Sequence, residues 1–135
     1  MTWLVTLLAF VAIALLVWKI WKPVVKPPKR EVPVNEARIT MFYTDWCGFS
    51  QKAQPEWAKL EEALQKSSYF GKTHVTATKV DAEKDQKLAT LYDVQAYPTV
   101  ILETHDGSYD FDRRVSAENL LTFLRTRLGQ ERESL

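Results

Sequence analysis

From Trp3 to Trp21 every position is apolar except Thr6 and Lys19. As a helix this run spans about 28 Å at about 1.5 Å per residue, close to the roughly 30 Å hydrocarbon core of a bilayer. Trp3 at one end and Trp18 and Trp21 at the other suit the two interfaces, and Lys19 is near enough to the end to snorkel. The pattern predicts a transmembrane helix over residues 2–21. A cleaved signal peptide is the weaker reading, because no basic residue precedes the run and no A-x-A site follows it.

The pattern then breaks. Residues 22–35 hold Pro23, Pro27, Pro28 and Pro33 among Lys22, Lys26, Lys29 and Arg30. Prolines at this spacing block helix and favour an extended spacer. About 13 such residues at about 3.1 Å each would hold a following domain roughly 40 Å from a bilayer. The cations either touch anionic head groups or are ordinary stop-transfer charges on a solvated linker.

Regular periodicity begins at about residue 36. The stretch RITMFYT, residues 38–44, reads as a buried strand. Over residues 50–67, Ala53, Trp57, Leu60 and Leu64 recur at helical spacing. Pro55 lies inside that helix and predicts a kink. Opposite, Lys52, Glu56, Lys59, Glu62 and Lys66 form a polar face, with Glu62 and Lys66 at the favourable i,i+4 spacing.

Gly71 marks the loop beyond. Alternation over residues 74–81 predicts a second strand, residues 84–94 a short helix, and residues 98–104 a third strand. Asp106–Gly107 predicts a tight turn into a fourth strand at residues 108–114. Ser116 is a good N-cap for a last helix, in which Leu120, Leu121, Phe123, Leu124 and Leu128 supply the core face. The tail, residues 129–135, is polar. The order is β-α-β-α-β-β-α, an α/β domain over residues 36–128. Crossover connections make the first two strands parallel and the hairpin adds antiparallel ones. The expectation is a mixed four-stranded sheet with helices on both faces, preceded by one membrane helix.

Charge sharpens this division. The first 35 residues carry five basic side chains against one acidic, a net of +4. The remainder carries thirteen basic against sixteen acidic, a net of −3. A formal total of +1 gives no basis for bulk nucleic-acid binding. All basic residues near the apolar run lie on its C-terminal side, so the positive-inside bias places the N-terminus outside and the domain on the cytosolic side or its equivalent.

The chain has one cysteine, Cys47. One thiol excludes an internal disulfide framework and a Cys-based zinc site within the chain. His74 and His105 stand alone, with no metal partner in the sequence, and surface roles are expected for both. Trp57 and Tyr92 are expected in the core. Arg113 and Arg114 read as a solvated or salt-bridging pair.

The element order, with a Cys at the junction of first strand and first helix, resembles the thioredoxin fold. "FYTDWCGFS" is similar to the family's strand followed by W-C-G-x-C. Pro55 lies eight residues after Cys47, where thioredoxins have a helix-kinking proline. "YDVQAYPTVILE" resembles the family's cis-proline stretch, and "DGSYDF" its following hairpin. The "YPT" form and "AENLLTFL" resemble protein disulfide isomerase-like and membrane-anchored thioredoxin-related proteins.

The resemblance covers about residues 36–128 and implies specific roles. Cys47 is the nucleophile at a helix N-terminus, where the thiolate is favoured, and the Asp45 carboxylate opposes its ionisation. Ser50 stands where a resolving Cys would be. Trp46, Tyr97 and Pro98 line a groove for an extended partner strand. Met41 occupies the position of the family's buried acid. "CGFS" also resembles monothiol glutaredoxins, but Trp46, Pro55 and the missing glutaredoxin signatures argue against an iron–sulfur site. No bound cofactor or metal is expected; glutathione would serve as an external resolving thiol.

Two functions follow from these residues. One is a membrane-anchored monothiol protein that captures client proteins through Cys47, as a weakly turning-over oxidoreductase or retention factor. The other is a non-catalytic docking module at a membrane, such as a minor component of a membrane-lined viral capsid.

Overall fold

The computed structural model describes Trp3 and residues 29–132. The expected membrane helix, Trp3 apart, lies outside the described residues, as do residues 22–28 of the linker and 133–135 of the tail. Among the described residues no helix is long and apolar enough to cross a membrane.

The central strand β1, Glu36–Tyr43, is buried on both faces. Its alternating side chains serve two cores. Ala37, Ile39 and Met41 join one cluster, while Phe42 joins the other. Helix α1, Gly48–Lys66, buries Ala53, Trp57, Leu60 and Leu64 on the first face. The short strand β2, Tyr69–Phe70, leads through a turn into β3, Thr73–Asp81. Helix α2, Gln86–Leu91, packs on the second face through Ala89. Asp85 caps it, its carboxylate accepting the Leu88 N–H at 3.0 Å.

Strands β4, Thr99–Thr104, and β5, Gly107–Phe111, form the hairpin. Helix α3, Ala117–Leu128, returns to the first face through Leu120 and Leu124. Strand β6, Glu131–Arg132, closes the order. Ser116 caps α3 as expected, its Oγ accepting the Asn119 N–H at 3.3 Å.

The sheet order is β5-β4-β1-β3-β2-β6. β1 is parallel to β3, from Glu36↔His74 to Tyr43↔Asp81. It is antiparallel to β4, from Ala37↔Thr104 to Phe42↔Thr99. The α/β plan, the parallel crossover and the hairpin agree with the sequence reading.

The strand number does not. Among the described residues the sheet has six strands instead of four, because β2 adds antiparallel to β3 and β6 antiparallel to β2 at one edge. Two-residue strands show no alternation to read. The last hairpin strand also stops at Phe111, leaving Asp112, Arg113 and Arg114 in an exposed connection. The helix expected over residues 84–94 is confined to its middle by the Asp85 cap and by Asp93 at φ 53°.

Candidate functional site

The site forms where β1 ends and α1 begins. Cys47 is the N-cap residue of α1, with φ −81° and ψ 118°. Its N–H donates to the Thr44 carbonyl at 3.4 Å, and its own carbonyl accepts the Gln51 N–H at 3.0 Å. The sulfur therefore occupies the place where a Ser or Asp oxygen would meet the free N–H groups of the first turn. Those groups hold the Cys47 pKa below its ordinary value. The Ser50 backbone N–H is the largest cause; partial burial opposes it, and the Phe49 N–H and the Ser50 hydroxyl add to the lowering. As a thiol, Sγ donates to the Tyr97 carbonyl at 3.4 Å.

The Tyr97–Pro98 peptide bond is cis. The Tyr97 ring meets Trp46 edge to face, with centroids 6.2 Å apart at 84°. The indole N–H of Trp46 donates to Glu83 Oε1 at 3.1 Å. Trp46 nevertheless stays 66% exposed, and Phe49 beside it 74%. Ser50, in contrast, is fully buried, and its Oγ accepts the Thr44 N–H at 3.4 Å. The structure thus brings Trp46, Cys47, Ser50, Tyr97 and Pro98 to one place.

Sequence reading missed two residues here. Phe49 was legible as an apolar residue inside the motif. Glu83 carried no signal, because an exposed acid after a strand is ordinary. An open groove of about 300 Å³, lined by Ala82, Gln86, Ala89, Val94, Gln95 and Tyr97, continues from Tyr97 along α2.

Met41 is fully buried in the core beneath α1 and α3. Asp45 is exposed, and its backbone carbonyl takes a 2.7 Å hydrogen bond from the Gln51 side chain. Trp57 is fully buried, its indole N–H donating to Glu61 at 3.0 Å. The His74 ring meets Tyr69 at a 60° tilt, centroids 5.2 Å apart, and exposed His105 lies 3.3 Å from the Val32 carbonyl. Among the described residues no group of three or more His, Cys, Asp or Glu is placed to hold a metal ion.

The thioredoxin family model matches residues 27–126. The chain belongs to the thioredoxin family. Among its curated relatives is a probable protein disulfide-isomerase A4 of Caenorhabditis elegans, 31% identical over 114 residues, covering 76% of this chain and 18% of that protein. The human protein disulfide-isomerase A4 is 36% identical over 81 residues, covering 58% of this chain and 12% of its own length. The chain thus spans less than a fifth of either relative.

Among solved structures, the first thioredoxin domain of mouse protein disulfide-isomerase A4 superposes with a TM-score of 0.57 at 26% identity, covering 67% of this chain and 61% of that one. Human ERp44 superposes with a TM-score of 0.59 at 22% identity, covering 68% of this chain and 27% of that one, which shows the shared fold.

A thioredoxin-family site of this geometry can attack a disulfide. A thiolate at partly exposed Cys47 would displace one sulfur of such a target, which would leave as a thiolate, and a mixed disulfide would remain. Ser50 holds an alcohol at the releasing position and cannot displace Cys47 from that bond.

Proposed function

We propose that this thioredoxin-family chain is a monothiol capture protein of the thiol–disulfide exchange type. Cys47 forms mixed disulfides with client proteins, and release depends on an external thiol such as glutathione. One observation carries this reading: a partly exposed sulfur sits at the N-cap of α1, where the first-turn N–H groups lower its pKa, while a fully buried serine lies three residues on. Trp46, Tyr97 and Pro98 would receive the extended client segment.

The apolar run over residues 2–21 supports a single membrane anchor. The basic residues after it support a domain on the cytosolic side or its equivalent. Buried Met41 in place of an acid favours a second reading, a docking module in which the thiol is not used.

The test is incubation with a peptide disulfide, followed by mass spectrometry. The expected result is a Cys47–peptide adduct that persists until glutathione is added. Absence of an adduct, or release without added thiol, would overturn the capture reading. A Cys47→Ser chain that keeps all its partners would support docking.

A further inference from the structure

Residues 29–35 do not leave the domain as a free lead. The Lys29 backbone N–H donates to Glu103 Oε1 at 3.1 Å, and its Nζ donates to the Leu91 carbonyl at 2.5 Å. Arg30 Nε donates to the Tyr92 hydroxyl at 2.6 Å. Both cations lie over the Tyr92 ring, at 5.9 Å for Lys29 and 5.4 Å for Arg30. Val32 is buried, its carbonyl facing His105, and the Pro33 carbonyl accepts the Glu36 N–H at 3.1 Å. The Asn35 carbonyl then accepts the His74 N–H at 2.8 Å.

Glu103 is the centre of this arrangement. It sits in β4 and is fully buried. A buried carboxylate needs several partners, because it has lost its water. The folded domain supplies Oε2 with the Tyr92 hydroxyl at 2.7 Å and with Arg38 Nη1 at 3.5 Å. The approaching segment supplies the rest: Arg30 Nη2 lies 3.8 Å from Oε2, and the Lys29 N–H is the hydrogen-bond donor to Oε1 among the described residues. Burial, chiefly, and the bond to Glu103 push the Tyr92 pKa up to about 12, so its hydroxyl remains a donor at neutral pH.

We propose that Glu103, with Tyr92, is the receptor of a latch that clamps Lys29 and Arg30 to the domain and so fixes the height and orientation of Cys47 relative to the segment upstream. This rests on reading residues 2–21 as a membrane anchor. With residues 22–35 all free, full extension at about 3.5 Å per residue would reach about 50 Å. With the latch closed at most the seven residues 22–28 separate the domain from the apolar run, and the greatest reach falls to about 25 Å at about 3.5 Å per residue. Two of the four spacer cations, Lys29 and Arg30, then face Tyr92 and Glu103 instead of lipid head groups. A capture site held at fixed height reaches client disulfides close to the bilayer and is kept from those further away.

Trypsin reads the latch directly. Lys22 and Lys26 each precede proline and resist cleavage, so cuts in this segment report Lys29 and Arg30 alone. The full chain is reconstituted in phosphatidylcholine liposomes, as wild type, Glu103→Gln and Tyr92→Phe, with circular dichroism to show that each is folded. In the wild type, cleavage after Lys29 and Arg30 should be at least tenfold slower than after exposed Arg113 and Arg114. Either substitution should remove most of that difference. A fluorophore on Cys47 should also lose energy transfer to acceptor lipids when the latch is opened.

Equal cleavage at both places in the wild type would overturn the latch, as would unchanged protection in both folded variants. Unchanged energy transfer on opening would overturn the height-setting role. Failure of the chain to float with liposomes would remove the anchoring reading and the height-setting role with it, while the cleavage rates would still decide the latch.

Discussion

Cys47 Sγ lies 3.4 Å from the carbonyl oxygen of Tyr97, although 50 positions separate the two residues. The contact joins a helix N-terminus to the cis-proline loop. It places the thiol where its first-turn N–H groups and a partner's backbone can be met together. Ionisation changes the balance here: the thiol donates to Tyr97, whereas the thiolate is favoured by the nearby N–H groups of Ser50 and Phe49.

The rate of Cys47 alkylation by iodoacetamide should follow this ionisation. Its midpoint is expected below the ~8.5 of a free thiol, with reactivity rising as pH increases through it. Because the folded-state pKa is depressed, the stabilisation from this group is present above the unfolded-state pKa. It is lost as pH falls through the folded-state value. Ser50→Ala removes the hydroxyl contribution and should move the midpoint up, with the backbone donors still holding it below the free thiol. A wild-type midpoint at or above the free-thiol value would contradict the site geometry.

Ser50→Cys restores a second sulfur at the releasing position. The Cys47–peptide adduct should then decay without added glutathione, leaving an internal disulfide between positions 47 and 50. Reduction of insulin with dithiothreitol as electron source should become faster than in the wild type, where dithiothreitol must also release the adduct. If the double-thiol chain holds its adduct as long as wild type, Ser50 is not at the releasing position.

Trp57→Ala should cost about 3–5 kcal/mol, the range for deleting a large aromatic side chain from a core. Trp57 is fully buried between the sheet and α1, and its indole bonds Glu61. Urea unfolding measures the loss. A cost under about 0.5 kcal/mol, as at a typical surface position, would show that the core packs otherwise.

Gly71 has φ +60°, and a Cβ there would lie 2.6 Å from the Leu128 carbonyl oxygen. Gly71→Ala should therefore destabilise by more than the about 1–2 kcal/mol of a left-handed non-glycine residue. The β2–β6 edge would be displaced, since the Gly71 N–H donates to the Gln130 carbonyl at 2.7 Å. Thermal unfolding with hydrogen exchange at Gly71 checks both effects.

Much of this protein was legible without coordinates. Helix α1 declared itself through Ala53, Trp57, Leu60 and Leu64, and α3 through Ser116 and its leucines, because helical periodicity and caps are local properties. The central strand declared itself as an apolar β-rich run. The residues of the site were legible through resemblance, because Trp46, Cys47, Pro55 and Pro98 keep their spacing along the chain.

Tertiary structure decided what depends on distant partners. A two-residue strand such as β6 exists only because it finds β2, itself paired to β3, across the fold. The sequence placed Lys29 and Arg30 in an extended spacer, at lipid head groups or in solvent, and treated Tyr92 as core packing. It singled out nothing about Glu103, a lone acid at the end of a strand. Lys29 and Glu103 are 74 positions apart, and no periodicity links them. Periodicity specifies which face of an element is buried; the partner of a charge buried there is fixed only when the chain closes over it.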